Sequence, residues 1–259
     1  MSNEAQVPTD EVALVLGAQE YNRQRVNPLP KDDYYIHLSD LVLFLRECTG
    51  PNLGIVLDYG CGGSPYREMF HCDKYRRADY VDCGGIDIII SQDGKMDLPD
   101  GSCDMILSTQ VLEHVFSPGD YLAEAFRVLR PGGKLILTTH GIWEDHGCPY
   151  DFWRWTADGL RRLLDASSFE SSRIVKITTG PRAVFFMFFQ MLSKLSFSRR
   201  TVAGLALWLL RHSSLGKAES RHKWMDGYFK GHRLVSSEAT GHATYLALGV
   251  EAIKPLGKS

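Results

Sequence analysis

The chain predicts an α/β fold: a mostly parallel sheet with helices on both faces, plus a helical insertion before the last strand. Three observations predict it. Apolar runs alternate with helix-like segments from 54 to 140, as buried parallel strands and their crossover helices do. Glycine-rich turns close several of those runs. The 259 residues, 44% of them hydrophobic, suffice for one such domain with an elaboration.

Taken in order, residues 1–30 are polar, carry Pro8, Pro28 and Pro30, and allow one short helix near Glu11–Gln19. Residues 33–48 place Ile36, Leu38, Leu41, Val42, Leu45 and Cys48 at helical spacings, so a helix packed on the sheet is expected. Strands are expected at Gly54–Tyr59, Tyr80–Cys83, Ile86–Ser91, Cys103–Ser108 and Lys134–Thr139. Helices are expected to start at Pro65–Phe70 and to run over Pro118–Leu129. Thr156 is a candidate N-cap for a helix over Ala157–Ala166, and Arg173–Thr178 and Thr244–Ile253 read as further strands. The expected division is an N-terminal helical cover (1–53), a core (54–180), an insertion (181–242), and the last strand and tail of the core (243–259). No internal repeat is evident.

Charge and cysteine usage narrow the function. A net charge of −2 and pI near 6.5 argue against a nucleic-acid binder, whose domain would be basic. The six cysteines form no C-x-x-C pair, which disfavours a zinc ribbon and fits a reducing cytoplasm. The polar, acidic N-terminus has no signal-peptide pattern, and no apolar run reaches the roughly 20 residues of a spanning helix.

The stretch Ile55–Tyr66 carries the most chemistry. An apolar run ends in Asp58, then Gly60, Gly62 and Gly63, then Ser64-Pro65. Glycine takes positive φ cheaply and lets a ligand touch backbone, and a following helix N-terminus would offer free N–H groups. This is the layout of a nucleotide-type cofactor site.

Asp58-Tyr59-Gly60-Cys61-Gly62-Gly63 resembles the glycine loop of class I S-adenosylmethionine-dependent methyltransferases. Four further stretches follow in that family's order over about 54–170: Tyr80-Val81-Asp82, Asp93–Pro99, Gln110–Val115 and Leu129–Leu135. Together they are similar to the family's small-molecule, bacterial branch, with its Rossmann-like fold. The short glycine loop also lacks the G-x-G-x-x-G spacing of dinucleotide-binding dehydrogenases.

The resemblance implies roles. Gly60 and Gly62 would let the methionine moiety lie on the backbone, and Asp58 would help orient its ammonium. Asp82 would accept from the ribose hydroxyls, with Asp79 as the alternative. Asp93 would accept from the adenine amino group, with Gly94 and Met96 against the ring. Ser108 and Gln110 would stand where the cofactor's amino-acid end meets substrate. Ser64 replaces the family's usual third glycine, which is tolerable if its φ is negative.

Methyl transfer is an in-line displacement that needs alignment, exclusion of water and, for a hydroxyl or ammonium acceptor, a base. The candidate bases are His140, His146 and His114. Residues 140–156 form an aromatic stretch whose ending, Asp151–Thr156, resembles a subgroup of bacterial small-molecule methyltransferases. There Trp143, Tyr150, Phe152, Trp153 and Trp155 either wall a substrate pocket or pack the core, and Arg154 is a candidate grip for an anionic group. Some relatives hold a divalent ion through Glu-x-x-Glu-His. Gln110 replaces the first glutamate here and leaves Glu113, His114 and His140, so no metal is expected.

The insertion carries two short apolar runs, 183–192 and 202–210. Residues 194–233 hold nine Lys and Arg against two acids, leaving the rest of the chain near minus nine. Such asymmetry suits a helical subdomain with a solvated basic side, a cap over an acidic or lipid-linked substrate, or peripheral contact with an anionic membrane through 181–233.

The expectation is therefore methyl transfer to a small-molecule or lipid-linked acceptor, most simply at oxygen, in a cytoplasmic or peripherally membrane-bound protein. A non-catalytic cofactor-binding scaffold and a non-methylating enzyme on the same frame are the alternatives. The oligomeric state stays open.

Overall fold

The computed structural model describes residues 19–82, 85–91, 94–147, 150–195, 201–239 and 244–256. All but the last residue of the helix expected over Glu11–Gln19 lies outside them, as does Asp93. Helical backbone covers 19–26.

Eight strands form one sheet: β1 (Ile55–Tyr59), β2 (Lys74–Asp79), β3 (Ile88–Ile89), β4 (Cys103–Thr109), β5 (Leu129–His140), β6 (Glu170–Thr179), β7 (Leu234–Ser236) and β8 (Tyr245–Ile253). Their order is β3-β2-β1-β4-β5-β8-β6-β7. Strands β3, β2, β1, β4 and β5 are mutually parallel, and β8 runs antiparallel between β5 and β6. This is the mostly parallel Rossmann-like sheet the sequence predicts.

Helices cover both faces because the strands are apolar on both. Helix α1 (Tyr35–Cys48) buries Leu41, Phe44 and Leu45 against Val56, Leu107, Ile136 and Ile177. On the other face, α2 (Pro118–Val128) and α3 (Ala157–Ala166) bury Leu122, Ala125, Leu160 and Leu164 against Leu57, Ile106, Leu135 and Leu248. Helix α3 starts at the expected cap: Thr156 Oγ1 accepts from Gly159 N at 3.1 Å.

Two expected elements differ. The second strand is Lys74–Asp79, not Tyr80–Cys83. It reads KYRRAD and lacks an apolar signature, which it can do beside a β3 of only two residues. The helix expected from Pro65 is a single 3₁₀ turn, Arg67–Met69. Ser64 precedes a proline, which disfavours the helical region, and it takes φ +49°, not the negative φ that would make it an ordinary substitute for glycine.

The insertion contributes α4 (Gly180–Lys194), α5 (Val202–His212), α6 (Ala218–Tyr228) and the edge strand β7. Ala183, Phe186 and Met225 pack with Ile36 of α1 and Leu246 of β8, so these helices rest on the N-terminal cover and one sheet end. No helix among the described residues is long and apolar enough to cross a membrane.

Candidate active site

Strand order reverses between β1 and β4, so a crevice opens at the carboxyl ends of these strands, where open α/β sheets bind ligands. The loop after β1 lines it. Gly60 takes φ +76°, and a Cβ there would lie 2.6 Å from Val111 Cγ1. Gly62 takes φ +49° with nothing within 4 Å of its Cβ position, which leaves room for a ligand. Asp58 is buried, accepts from the Tyr75 hydroxyl at 2.7 Å, and has its pKa raised to about 6 by burial.

The carboxylate at the end of β2 belongs to Asp79. Its Oδ2 accepts from Gly62 N and its Oδ1 from Tyr80 N, both at 2.7 Å, which fixes it beside the glycine loop. Asp82 lies three residues beyond the strand and is exposed. Gly94 takes φ +80°, and its carbonyl accepts from the Tyr59 hydroxyl at 2.9 Å. Met96 is buried in the main core, and its N–H donates to Glu124 Oε1 at 2.8 Å.

The two candidates after β4 separate. Ser108 is wholly buried and bonded to the Tyr121 hydroxyl at 2.9 Å, so it braces the sheet and does not line the crevice. Gln110 is the residue at the mouth. It takes φ +56°, donates its N–H to Thr138 O at 2.9 Å, and leaves its Oε1 buried without a partner. A non-glycine residue held in this region stores strain of order 1–3 kcal/mol, a feature that clusters at ligand sites.

Across the crevice, β5 and the aromatic loop bring the histidines together. His140 ends β5, is buried, and has Nε2 3.4 Å from Glu113 Oε1. Glu113 Oε2 accepts from the Thr139 hydroxyl at 2.7 Å, and the Glu113 carbonyl takes N–H bonds from Phe152 and Trp153. Burial drives the His140 pKa far down and the Glu113 pKa up, so each leans toward its neutral form. The ring centroid of His146 lies 5.0 Å from that of His140 and 4.9 Å from that of His114. His114 Nδ1 faces the Tyr150 carbonyl at 2.7 Å and His146 Nδ1 the Glu144 carbonyl at 3.1 Å.

Trp143 stacks on His140 with centroids 4.6 Å apart and continues toward Phe186 of α4 at 5.8 Å and Tyr34 at 6.1 Å. Tyr150 stands largely exposed, and Trp153 anchors the loop by donating Nε1–H to Val115 O at 2.8 Å. Sequence reasoning missed His37 of α1. It is buried, 4.6 Å from Trp143 by ring centroids, and held near pKa 3 by burial and then by Arg25. A lone histidine in an apolar helix gives no local signal of such a cluster.

Arg154 does not have the role expected of it. It forms a two-pronged pair with Asp151, both contacts at 2.6 Å, and also donates to the carbonyls of Trp143, Glu144 and Trp153. Every direction in which a guanidinium can donate is taken. Arg154 therefore pins the aromatic loop and has no donor left to grip an anion.

Residues 57–137 match a family described as a methyltransferase domain. A Mycolicibacterium smegmatis protein named a probable S-adenosylmethionine-dependent methyltransferase is 30% identical over 125 residues, 43% of this chain and 47% of that one. A similarly named Mycobacterium tuberculosis protein is 26% identical over 153 residues, 52% of this chain and 55% of that one. These residues lie on the crevice just described. The chain carries a class I S-adenosylmethionine-dependent methyltransferase domain. It spans about half the length of the curated relatives it matches.

Solved structures agree on the fold of this methyltransferase domain and its cover. The cyclase SpnF superposes with a TM-score of 0.55 at 18% identity, over 96% of this chain and 95% of that one. A Thermotoga maritima structure described as a possible histamine N-methyltransferase gives 0.51 at 15% identity, over 91% and 95%.

The family's cofactor is S-adenosylmethionine, and the methyltransferase crevice fits it: an open cradle at Gly62, a carboxylate at the end of β2, and an unpartnered buried amide oxygen on Gln110. A metal is a separate matter. Glu113, His114 and His146 bring ligand atoms within 4.8 Å of one another. That set could receive a divalent ion, though displacement at a sulfonium methyl needs no Lewis acid.

Proposed function

We propose that this protein methylates a hydroxyl on a small or lipid-linked acceptor with an apolar body, using S-adenosylmethionine. The observation that carries the reading is the buried His140–Glu113 pair at the end of β5, with His140 Nδ1 left without a partner. The bound cofactor supplies a methyl group on a good leaving group. His140, kept neutral by burial, accepts the hydroxyl proton at Nδ1. Glu113, beside Nε2 at 3.4 Å, holds the ring in the orientation that leaves Nδ1 free for the proton. Trp143, His37 and Phe186 pack in a chain of rings beside His140 and exclude water.

The acceptor class is read from the outer faces of the insertion helices. Helix α4 exposes Val184, Phe185, Phe188 and Met191 along one stripe, and α5 exposes Val202, Leu205 and Leu209 along another. Around them Arg211, Lys217 and Lys230 have no carboxylate at ion-pair distance among the described residues. Apolar stripes with cations suit an anionic lipid surface, so peripheral membrane contact from the cytoplasm is part of the proposal. A relative over 70 residues, 31% identical, is named 2-methyl-6-phytyl-1,4-hydroquinone methyltransferase, and the acceptor in that name carries a phytyl chain.

The test is cofactor carrying a deuterated methyl, incubated with polar-lipid and small-molecule extracts and followed by mass spectrometry. A product labelled at oxygen supports the reading, and label on carbon or nitrogen overturns its O-methyl part. A second reading, non-methylating chemistry on the same frame, is kept because a protein of this fold is named a cyclase. It predicts an altered acceptor without label.

A further inference from the structure

We propose that Arg25 is an oxyanion receptor at the amino-acid end of the cofactor crevice, receiving the cofactor's carboxylate or an acidic group of the acceptor. The proposal rests on the cofactor reading and adds to it a residue that no motif carries.

The first observation is an exclusion. The aromatic loop's cation, Arg154, has all its donors engaged by Asp151 and three carbonyls. The second is that Arg25 is half-buried without a counter-charge. Its guanidinium lies over the Tyr21 ring, 4.8 Å from the centroid, and no carboxylate stands within ion-pair distance among the described residues. Arg23, two residues earlier, shows the contrast, with Glu20 at 2.6 Å and Asp32 at 2.8 Å. A guanidinium drawn from water without a counter-charge is costly, so the arrangement suits a site that an anion completes.

The third observation is place. The helical stretch 19–26 lies on the glycine loop: Asn22 Oδ1 is 3.8 Å from where a Cβ on Gly63 would stand, and Val26 packs on the cluster that contains Tyr66. Arg25 lies against the buried Tyr66 hydroxyl. It is also close enough to His37 and Glu113 to act on both electrostatically. Arg25 therefore stands between the glycine loop and the acceptor cluster. With its adenosine directed toward β2 and Gly94, a bound cofactor would turn its amino-acid end to this side of the glycine loop. Its carboxylate is an oxyanion suited to the fork of a guanidinium.

Calorimetric titration with S-adenosylhomocysteine and with 5′-methylthioadenosine, which lacks the amino-acid end, tests this on wild type, R25Q and R25K. If Arg25 holds the cofactor's carboxylate, R25Q binds S-adenosylhomocysteine roughly 10- to 100-fold more weakly, R25K recovers part of the loss, and 5′-methylthioadenosine binds all three alike. If the oxyanion comes from the acceptor, both nucleosides bind unchanged, and inorganic phosphate binds S-adenosylhomocysteine-loaded wild type but not R25Q. Equal weakening of both nucleosides overturns the proposal, as does phosphate and nucleoside binding indifferent to Arg25. A wild-type protein that binds neither nucleoside would overturn the cofactor reading and this proposal with it.

Discussion

Arg182 and Asp40 meet side by side in the interior, Nε to Oδ2 at 2.7 Å and Nη2 to Oδ1 at 3.0 Å, with both side chains wholly buried. Asp40 also accepts from Arg233 at 2.6 Å and from the Thr178 hydroxyl at 2.9 Å. Arg182 reaches Asp226 at 2.8 Å, and Asp226 accepts from the Tyr35 hydroxyl at 2.6 Å. The network joins α1, the start of α4, α6 and the entry to β7. It holds the insertion against the N-terminal cover in one position.

Removing one partner of that pair leaves an uncompensated buried charge. R182M and D40N should each lower unfolding free energy by about 3–5 kcal/mol, and the double variant should lose less than the two singles together. Urea denaturation followed by tryptophan fluorescence measures this.

The buried histidines make stability acid-sensitive. Burial holds His37 near pKa 3 and His222 near 4, and lowers His140 as well, against an unfolded value near 6.5. Between these values the unfolded chain binds more protons, so stability is full above pH 6.5 and falls as pH drops. Each fully neutral histidine accounts for roughly 1.4 kcal/mol per pH unit below 6.5. Asp58, raised to about 6, and Glu113, also raised by burial, act in the opposite sense, since the stability each contributes is lost as pH rises through its folded pKa. Three groups outweigh two, and thermal melts from pH 7.5 to 4.5 should show Tm falling continuously. The fall should be smaller in H37F.

If His140 takes the acceptor proton, H140A should lower kcat about 100-fold or more while cofactor affinity stays within a few-fold. E113Q should lie between that variant and wild type. The same lowered proton affinity keeps His140 neutral in mild acid. Turnover should therefore stay level below pH 6.5 wherever fluorescence reports a folded protein, whereas an ordinary histidine base would lose activity there.

If Asp79, fixed beside the glycine loop at the end of β2, accepts from the ribose in preference to Asp82, the two variants separate. D79N should weaken S-adenosylhomocysteine binding about 10- to 100-fold, the worth of a charge-assisted hydrogen bond, and D82N no more than about twofold. Calorimetry separates the two.

The stripes on α4 and α5 are exposed, so charging them leaves the core intact. F188E with L205E should abolish co-sedimentation with phosphatidylglycerol vesicles, which wild type should show and raised salt should weaken. Equal binding by variant and wild type, or dimerisation through this face, would contradict membrane contact.

Much of this was legible in the chain itself. Strands β1, β4 and β5 each hold a short apolar run, 55–57, 105–107 and 135–137, that is packed on both faces, and the glycine turn after β1 is a local necessity of the backbone. The cap at Thr156 is local too. Strand β2 was hidden because its Lys74, Arg76 and Arg77 carry no apolar signal, and the choice of Asp82 over Asp79 followed from that. The 3₁₀ turn after Ser64 was decided by a backbone angle that composition does not reveal.

By itself, then, the sequence determined the class of fold, the order of its elements and the kind of cofactor crevice, since periodicity and turn chemistry act between neighbours in the chain. Only the tertiary structure decided which charged groups are free to meet a ligand. Arg154 is held by a carboxylate, Arg25 meets none among the described residues, and Asp40 finds Arg182 across 142 positions. Burial and pairing are properties of groups brought together from far apart, and they set both the cost of a charge and its availability for chemistry.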